Sequence, residues 1–350
     1  MHFRGATAEG TRRFRSRFPQ HAGAEFFRPA QEWCVSSLGI GTYLGGADEP
    51  TDQAYADSVA AAAHAGINVI DTAINYRHQR SERSIKAALG RLGRDGIARE
   101  QLVICTKAGF AVPGAVPAGL GEGDVAGGIH SMAPLFLADQ IERSRANLGL
   151  DTLDVFYLHN PETQLNFVKR EEFEARLARA FAFLETLVAR GTIRYYGVAT
   201  WHAFRRPPGA SDGLSLARVT EIARREGDGF RFVQLPLNLA MPEAFTLKPE
   251  MLDGRPRSVL EAAGELGITV VASATLMQAR LARTLPEQLE SAIPGELTAA
   301  QRAIQFTRST PGIAVALVGM SDAAHVRENA GIAAVAPMPE ERFLRLFQPA

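Results

Sequence analysis

The sequence predicts an α/β fold, a (β/α)8 TIM barrel, from two observations. Eight short, continuously apolar runs alternate with longer segments of helical period, which implies parallel strands joined by crossover helices. The rival open Rossmann sheet lacks its glycine fingerprint: Gly39-Ile40-Gly41 is followed by Thr42-Tyr43-Leu44, and Gly45-Gly46 do not restore the G-x-G-x-x-G spacing. A chain of 350 residues, 46% hydrophobic, is long enough for one large barrel core.

The eight predicted strands are residues 38–42, 68–71, 102–107, 153–159, 193–199, 230–235, 268–273 and 313–318. Between them, residues 52–65 place Ala56, Val59, Ala60 and Ala63 at helical spacing, and Gly66 stops the run. Residues 81–92 repeat the pattern with Ile85, Ala88, Leu89 and Leu92. Residues 171–189 are rich in Ala, Leu and Phe, and 322–333 follow the last strand. The connection 108–134 is rich in Gly and Pro without helical period, as expected of a functional lid, and a second irregular stretch spans 205–213.

The expected organisation is an N-terminal extension, residues 1–34, packed on a barrel of residues 35–350. Arg4, Arg12, Arg13, Arg15, Arg17 and Arg28 give the extension the Arg content of a processed leader. Glu9 and Glu25 interrupt that pattern, and Phe14, Phe18, Phe26 and Phe27 suit packing instead. Lys plus Arg and Asp plus Glu balance at 38 each, so charge gives no case for nucleic acid or an acidic membrane surface. No apolar run reaches the ~18 residues of a membrane span. Cys34 and Cys105 are the only cysteines; they form neither a disulfide framework nor a metal-site spacing, and read as reduced thiols of a cytoplasmic protein.

Chemistry in an α/β barrel is sought at the carboxyl ends of strands. Asp71 ends the second strand, Tyr76 lies in the loop beyond it, Lys107 ends the third and His159 the fourth. Adjacent strands stand ~4.8 Å apart, so the four side chains converge at one mouth. A tyrosine of pKa about 10 holds its proton firmly, and a neighbouring ammonium favours the phenolate. Lys107 supplies that cation, Asp71 balances it against desolvation, and His159 orients a carbonyl oxygen. No member is a hydride donor and none forms a metal cage, so a cofactor is required.

These residues lie in D-T-A-I-N-Y (71–76), followed in order by S-E (81–82), T-K (106–107), L-H-N (158–160) and E-N (328–329). The series resembles the aldo-keto reductases from about Val35 to Val335. The resemblance implies NADPH, with NADH as the alternative, bound to an (α/β)8 barrel that reduces a small aldehyde or ketone. It implies Tyr76 as general acid, supported by Lys107, Asp71 and His159. On the cofactor side it implies Thr42 and Tyr43 bordering the nicotinamide, Gln234 on its carboxamide, and Thr275 and Leu276 in the loop after the seventh strand. Gly319, Ser321, His325, Arg327, Glu328 and Asn329 correspond to the segment that grips the adenosine phosphate, with Ser321 toward a 2′-phosphate and Glu328 and Asn329 on the adenine.

Three positions depart from the family pattern. Ala199 and Thr200 replace a Ser-Asn pair, Ser273 replaces the aromatic under the nicotinamide, and His325 stands where relatives have Arg or Gln, with Arg327 available to compensate. Two other functions fit parts of the pattern: a nicotinamide-binding regulatory protein with little turnover, and a Schiff-base aldolase using Lys107. The run Arg77-His78-Gln79-Arg80 reads as a solvated loop, or as an attractor for an anionic substrate. His130 and Met132 read as anchors of the long loop rather than pocket lining, Cys105 as strand core, and Trp201 as a pocket wall.

Overall fold

The computed structural model describes residues 4–348 apart from 208, 284, 286 and 294. Met1 to Phe3 of the extension and Pro208 of the second irregular stretch thus lie outside the described residues. The extension carries α1 (Ala8–Ser16) and a hairpin of β1 (Phe27–Ala30) and β2 (Trp33–Ser36). Barrel strands β3 (Leu38–Gly41), β4 (Val69–Asp71), β5 (Val103–Ala108), β6 (Leu153–His159), β7 (Ile193–Ala199) and β8 (Phe230–Pro236) follow. A small hairpin, β9 (Glu250–Leu252) and β10 (Arg255–Arg257), precedes barrel strands β11 (Thr269–Ser273) and β12 (Ile313–Gly319). The helices are α2 (Glu49–His64), α3 (Arg80–Arg94), α4 (Pro134–Leu148), α5 (Arg170–Arg190), α6 (Leu216–Glu226), α7 (Glu243–Thr246), α8 (Val259–Leu266), α9 (Glu287–Ala292), α10 (Ala299–Ser309), α11 (Ala323–Ala330) and α12 (Glu340–Arg345).

The eight barrel strands pair in parallel in the order β11-β12-β3-β4-β5-β6-β7-β8, and β8 closes on β11. All eight predicted strands are present, with no end shifted by more than one residue. β4, β5 and β6 are buried at every position, which is why their sequences are apolar apart from Asp71, Thr106, Lys107, Asp154 and His159. The helices are delimited by local chemistry. Asp48 caps α2 by accepting from Thr51 N, and Ser258 and Glu261 form a capping box on α8. α5 ends on Gly191 at φ 74°, a left-handed cap that costs glycine little.

The extension covers the end of the barrel where the strands begin. Trp33 is 2% exposed and shares a buried cluster with Val69, Val103, Val155, Val271 and Val315. Its ring lies 5.4 Å from Tyr195 and 5.9 Å from Phe232, and its Nε1 donates to Ala6 O at 3.0 Å. Phe14, Phe18, Phe26 and Phe27 pack as a ring cluster with centroid spacings of 5.1–6.4 Å. Among the described residues no helix is long and apolar enough to cross a membrane.

Candidate active site

The strand ends at the opposite pole position the site. β4 stops at Asp71, whose backbone pairs across to Cys105, and β5 runs two residues further to Lys107. Lys107 is 1% exposed. Its Nζ donates to Asp71 Oδ1 at 2.5 Å and to Thr72 O at 2.6 Å. The other carboxylate oxygen of Asp71 accepts from Gln234 Nε2 at 2.9 Å. Burial acts against both charges. Burial alone would lower the lysine pKa, but Asp71, next to it and hydrogen-bonded to it, more than offsets this, so the ammonium stands raised. A lysine held protonated by a carboxylate is the reverse of what imine formation needs, which argues against the aldolase chemistry.

Tyr76 lies beside this pair. Lys107 Nζ is 5.1 Å from the centre of its ring, and the Tyr43 and His159 rings approach it edge-on at 4.9 and 5.7 Å. The sequence led us to expect a phenol made acidic by Lys107. The net direction is the opposite: burial raises the Tyr76 pKa, and the lysine, by charge and hydrogen bonding, opposes that rise without reversing it. Tyr76 therefore keeps its proton at neutral pH. His159, at the end of β6, is held well below the usual histidine range by burial and then by the Lys107 charge, so its imidazole is neutral.

These groups share a cavity of about 510 Å³ lined also by Thr42, Tyr43, Phe110, Asn160, Thr200 and Trp201. Tyr43 and Trp201 are 54% and 47% exposed and form its rim. Gln234, Thr275, Leu276 and Gly319 line the same cavity. The structure thus brings together Asp71, Tyr76, His159, Thr42, Tyr43, Gln234, Thr275, Leu276 and Gly319, with Lys107 behind Asp71. Ser321, His325, Arg327, Glu328 and Asn329 do not line this cavity. Asp322 caps α11, whose exposed face carries His325, Arg327 and Glu328. Asn329 is buried, with its Nδ2 3.4 Å from Met320 Sδ.

The cavity suits a flat, amide-bearing group. Gly41, Ala199, Ser273 and Gly319 leave room along one side, and a Cβ on Gly41 would still stand 3.9 Å from Gly319 Cα. Asn75 Oδ1, Thr200 Oγ1 and Thr275 Oγ1 are buried without a partner, and all three residues line the cavity, ready to bond a ligand. Gln234, expected on a carboxamide, donates to Asp71 and keeps its second amide hydrogen and its oxygen for other partners. Among the described residues no group of three or more His, Cys, Asp or Glu is placed to hold a metal ion.

Both readings of the Arg77-His78-Gln79-Arg80 run are corrected. Arg77 is not solvated: its side chain is 1% exposed and donates to Gly46 O at 2.6 Å, Asp48 O at 3.2 Å and Asp52 Oδ1 at 2.6 Å. Arg80 also pairs with Asp52. Arg77 therefore ties the loop before α2 to that helix, Arg80 binds the same Asp52 in its first turn, and both guanidiniums are engaged by the protein's own acceptors. Phe110, in the long loop, was not singled out from sequence although it lines the cavity and packs edge-on to His159 at 5.2 Å. An aromatic in a Gly- and Pro-rich connection was the available signal. His130 and Met132 are buried in that loop and do not line the cavity.

Known proteins resemble this chain in sequence and fold. A D-threo-aldose 1-dehydrogenase from a Pseudomonas species is 32% identical over 161 residues, 43% of this chain and 44% of that protein. An NADH-specific methylglyoxal reductase from Escherichia coli (strain K12) is 28% identical over 172 residues, 47% of this chain and 48% of that protein. The chain thus spans about half the length of these two relatives. The crystal structure of an aldo/keto reductase from Klebsiella pneumoniae in complex with NADP and acetate shares the fold, with a TM-score of 0.64 and 22% identity over 93% of this chain and 96% of that one. The profile of the Aldo/keto reductase family matches residues 37–347, the barrel from its first strand to its last helix. The chain belongs to the aldo/keto reductase family.

Proposed function

We propose that this chain reduces an aldehyde or ketone to the alcohol, or runs the reverse oxidation, with a nicotinamide cofactor. The observation that carries the reading is the convergence of Asp71, Tyr76 and His159 on the cavity, with Lys107 paired to Asp71 behind it. When bound, the nicotinamide supplies the hydride to the carbonyl carbon. The chain's own residues manage the oxygen. As the C=O π pair moves onto oxygen, the Tyr76 hydroxyl transfers its proton there, and the nearby Lys107 ammonium stabilises the phenolate left behind. Neutral His159 orients that oxygen by hydrogen bonding. Asp71 keeps Lys107 charged throughout.

We assign NADPH as the cofactor, with NADH as the alternative. Thr42, Tyr43, Gln234, Thr275, Leu276 and Gly319 serve the end of the cofactor in the cavity. Ser321, His325, Arg327, Glu328 and Asn329 serve the far end, beyond β12. Two free thiols, Cys34 and Cys105, suit a reducing cytoplasm.

Fluorescence titration with NADPH and NADH, followed by an aldehyde panel, tests the reading. One of the two cofactors is expected to bind below millimolar concentration. Turnover is expected to fall ~10²–10⁴-fold in Tyr76→Phe while cofactor affinity holds. Binding of neither cofactor, or full turnover in Tyr76→Phe, would overturn it.

A further inference from the structure

The long connection between β5 and α4 carries two side chains, Phe110 and His130, to the end of β6. His130 is fully buried, and its Nε2 donates to the backbone carbonyl of His159 at 2.8 Å. Its Nδ1 faces Gln164 Nε2 at 3.2 Å, and Gln164 Oε1 accepts from Arg176 Nη1 at 3.2 Å. This order of donors fixes the tautomer. A guanidinium only donates, so the amide oxygen of Gln164 faces Arg176 and its NH₂ faces His130. His130 Nδ1 must then be bare and Nε2 must carry the proton given to His159 O.

Phe110 sits between the two imidazoles and is edge-on to both, 5.3 Å and 88° from His130 and 5.2 Å and 87° from His159. Gly109 permits the approach: a Cβ there would stand 2.4 Å from His159 O and 2.6 Å from His130 Nε2. Ser131 N closes the base of the loop on Gly109 O at 2.8 Å. Burial keeps His130 neutral, with its pKa pushed down to about 4, so the same tautomer persists across the neutral range.

We propose that His130 is a positioning residue for His159: by gripping the His159 carbonyl and backing Phe110, it sets the imidazole that faces Tyr76. The rate effect rests on the carbonyl-reductase reading above; the structural effect does not. The test compares His130→Ala and His130→Gln in the full chain. A glutamine carries an N–H donor at nearly the reach of imidazole Nε2. The readouts are the imidazole ¹⁵N chemical shifts of His159 and steady-state kinetics with NADPH and 4-nitrobenzaldehyde.

In His130→Ala the His159 shifts are expected to move and kcat to fall ~10–100-fold, the scale of a misplaced group near the chemistry. KM for NADPH should stay within about twofold. His130→Gln should restore both the shifts and the rate. Unmoved His159 shifts in the alanine variant, or a glutamine variant as impaired as alanine, would overturn the proposal. If the alanine variant does not fold, the wild-type spectrum and the glutamine variant decide. A wild-type His130 protonated on Nδ1, or displaced His159 shifts in the glutamine variant, would count against it. A wild type that turns over no aldehyde would sink the carbonyl-reductase reading alone, since the ¹⁵N shifts still judge His130.

Discussion

The ammonium of Lys107 lies 2.5 Å from the carboxylate of Asp71, both groups inside the barrel mouth. Removing one partner leaves the other buried and uncompensated. Asp71→Asn is therefore expected to cost about 3–5 kcal/mol in urea unfolding and ~10²-fold in turnover. Adding Lys107→Met to Asp71→Asn should recover much of the stability and none of the activity. A double variant as unstable as the single one would show that the ion pair is not what Asp71 contributes.

The two buried imidazoles set a pH dependence of stability. His130 and His159 are neutral in the folded chain, whereas the unfolded chain protonates its histidines below about pH 6.5. The unfolded state then binds more protons, so stability rises with pH here. Their contribution is complete above about pH 6.5 and is lost as pH falls toward the folded-state values. For His130, with its pKa near about 4, the whole span corresponds to about 3 kcal/mol. Unfolding free energies of wild type and His130→Gln, measured between pH 7 and 5, should converge as the pH drops. Parallel curves would contradict a neutral buried His130.

Arg77 ties the segment ahead of α2 to that helix by hydrogen bonds to Gly46 O, Asp48 O and, in its first turn, Asp52. Arg77→Met should destabilise by about 2–4 kcal/mol, less than a fully buried pair because Asp52 is 29% exposed. Its preference between 4-carboxybenzaldehyde and benzaldehyde, read as a ratio of kcat/KM, should not change. A selective loss with the carboxylate would restore the reading of Arg77 as an anion attractor.

Trp33 fills the end of the barrel away from the mouth. Trp33→Ala should cost about 3–5 kcal/mol by denaturant unfolding, as for other large aromatic truncations. NADPH affinity of the folded fraction should be unaffected. A parallel loss of affinity would mean that the two ends are mechanically coupled.

The barrel strands were legible because burial on both faces leaves apolar runs such as Val155–Leu158. Their carboxyl ends then pointed to Asp71, Lys107 and His159 without any coordinates. The hairpin Glu250–Leu252 and Arg255–Arg257 was not legible, because its three-residue strands mix charged, apolar and proline residues and carry no period. Arg77 was misread for a related reason. Its burial depends on Asp52, a partner 25 residues earlier, and a polar run looks the same whether its charges meet water or each other. The direction of the Tyr76 shift was missed because the sequence shows the cation beside the phenol but not how tightly the protein encloses both.

Strand β5 passes from Val103, against Trp33, to Lys107 at the mouth in four residues, roughly 13 Å at the rise of a strand. The barrel floor and its reaction chamber are thus two storeys of one wall that meet at Ala199 and Leu317, which belong to the Trp33 cluster and also line the cavity. Substitutions that repack the floor are expected to act on stability, whereas those at Asp71 or Lys107 act on stability and turnover together. A lineage carrying this hairpin is therefore expected to tune its thermal tolerance at Trp33 with less effect on its chemistry than a change at Lys107 would have.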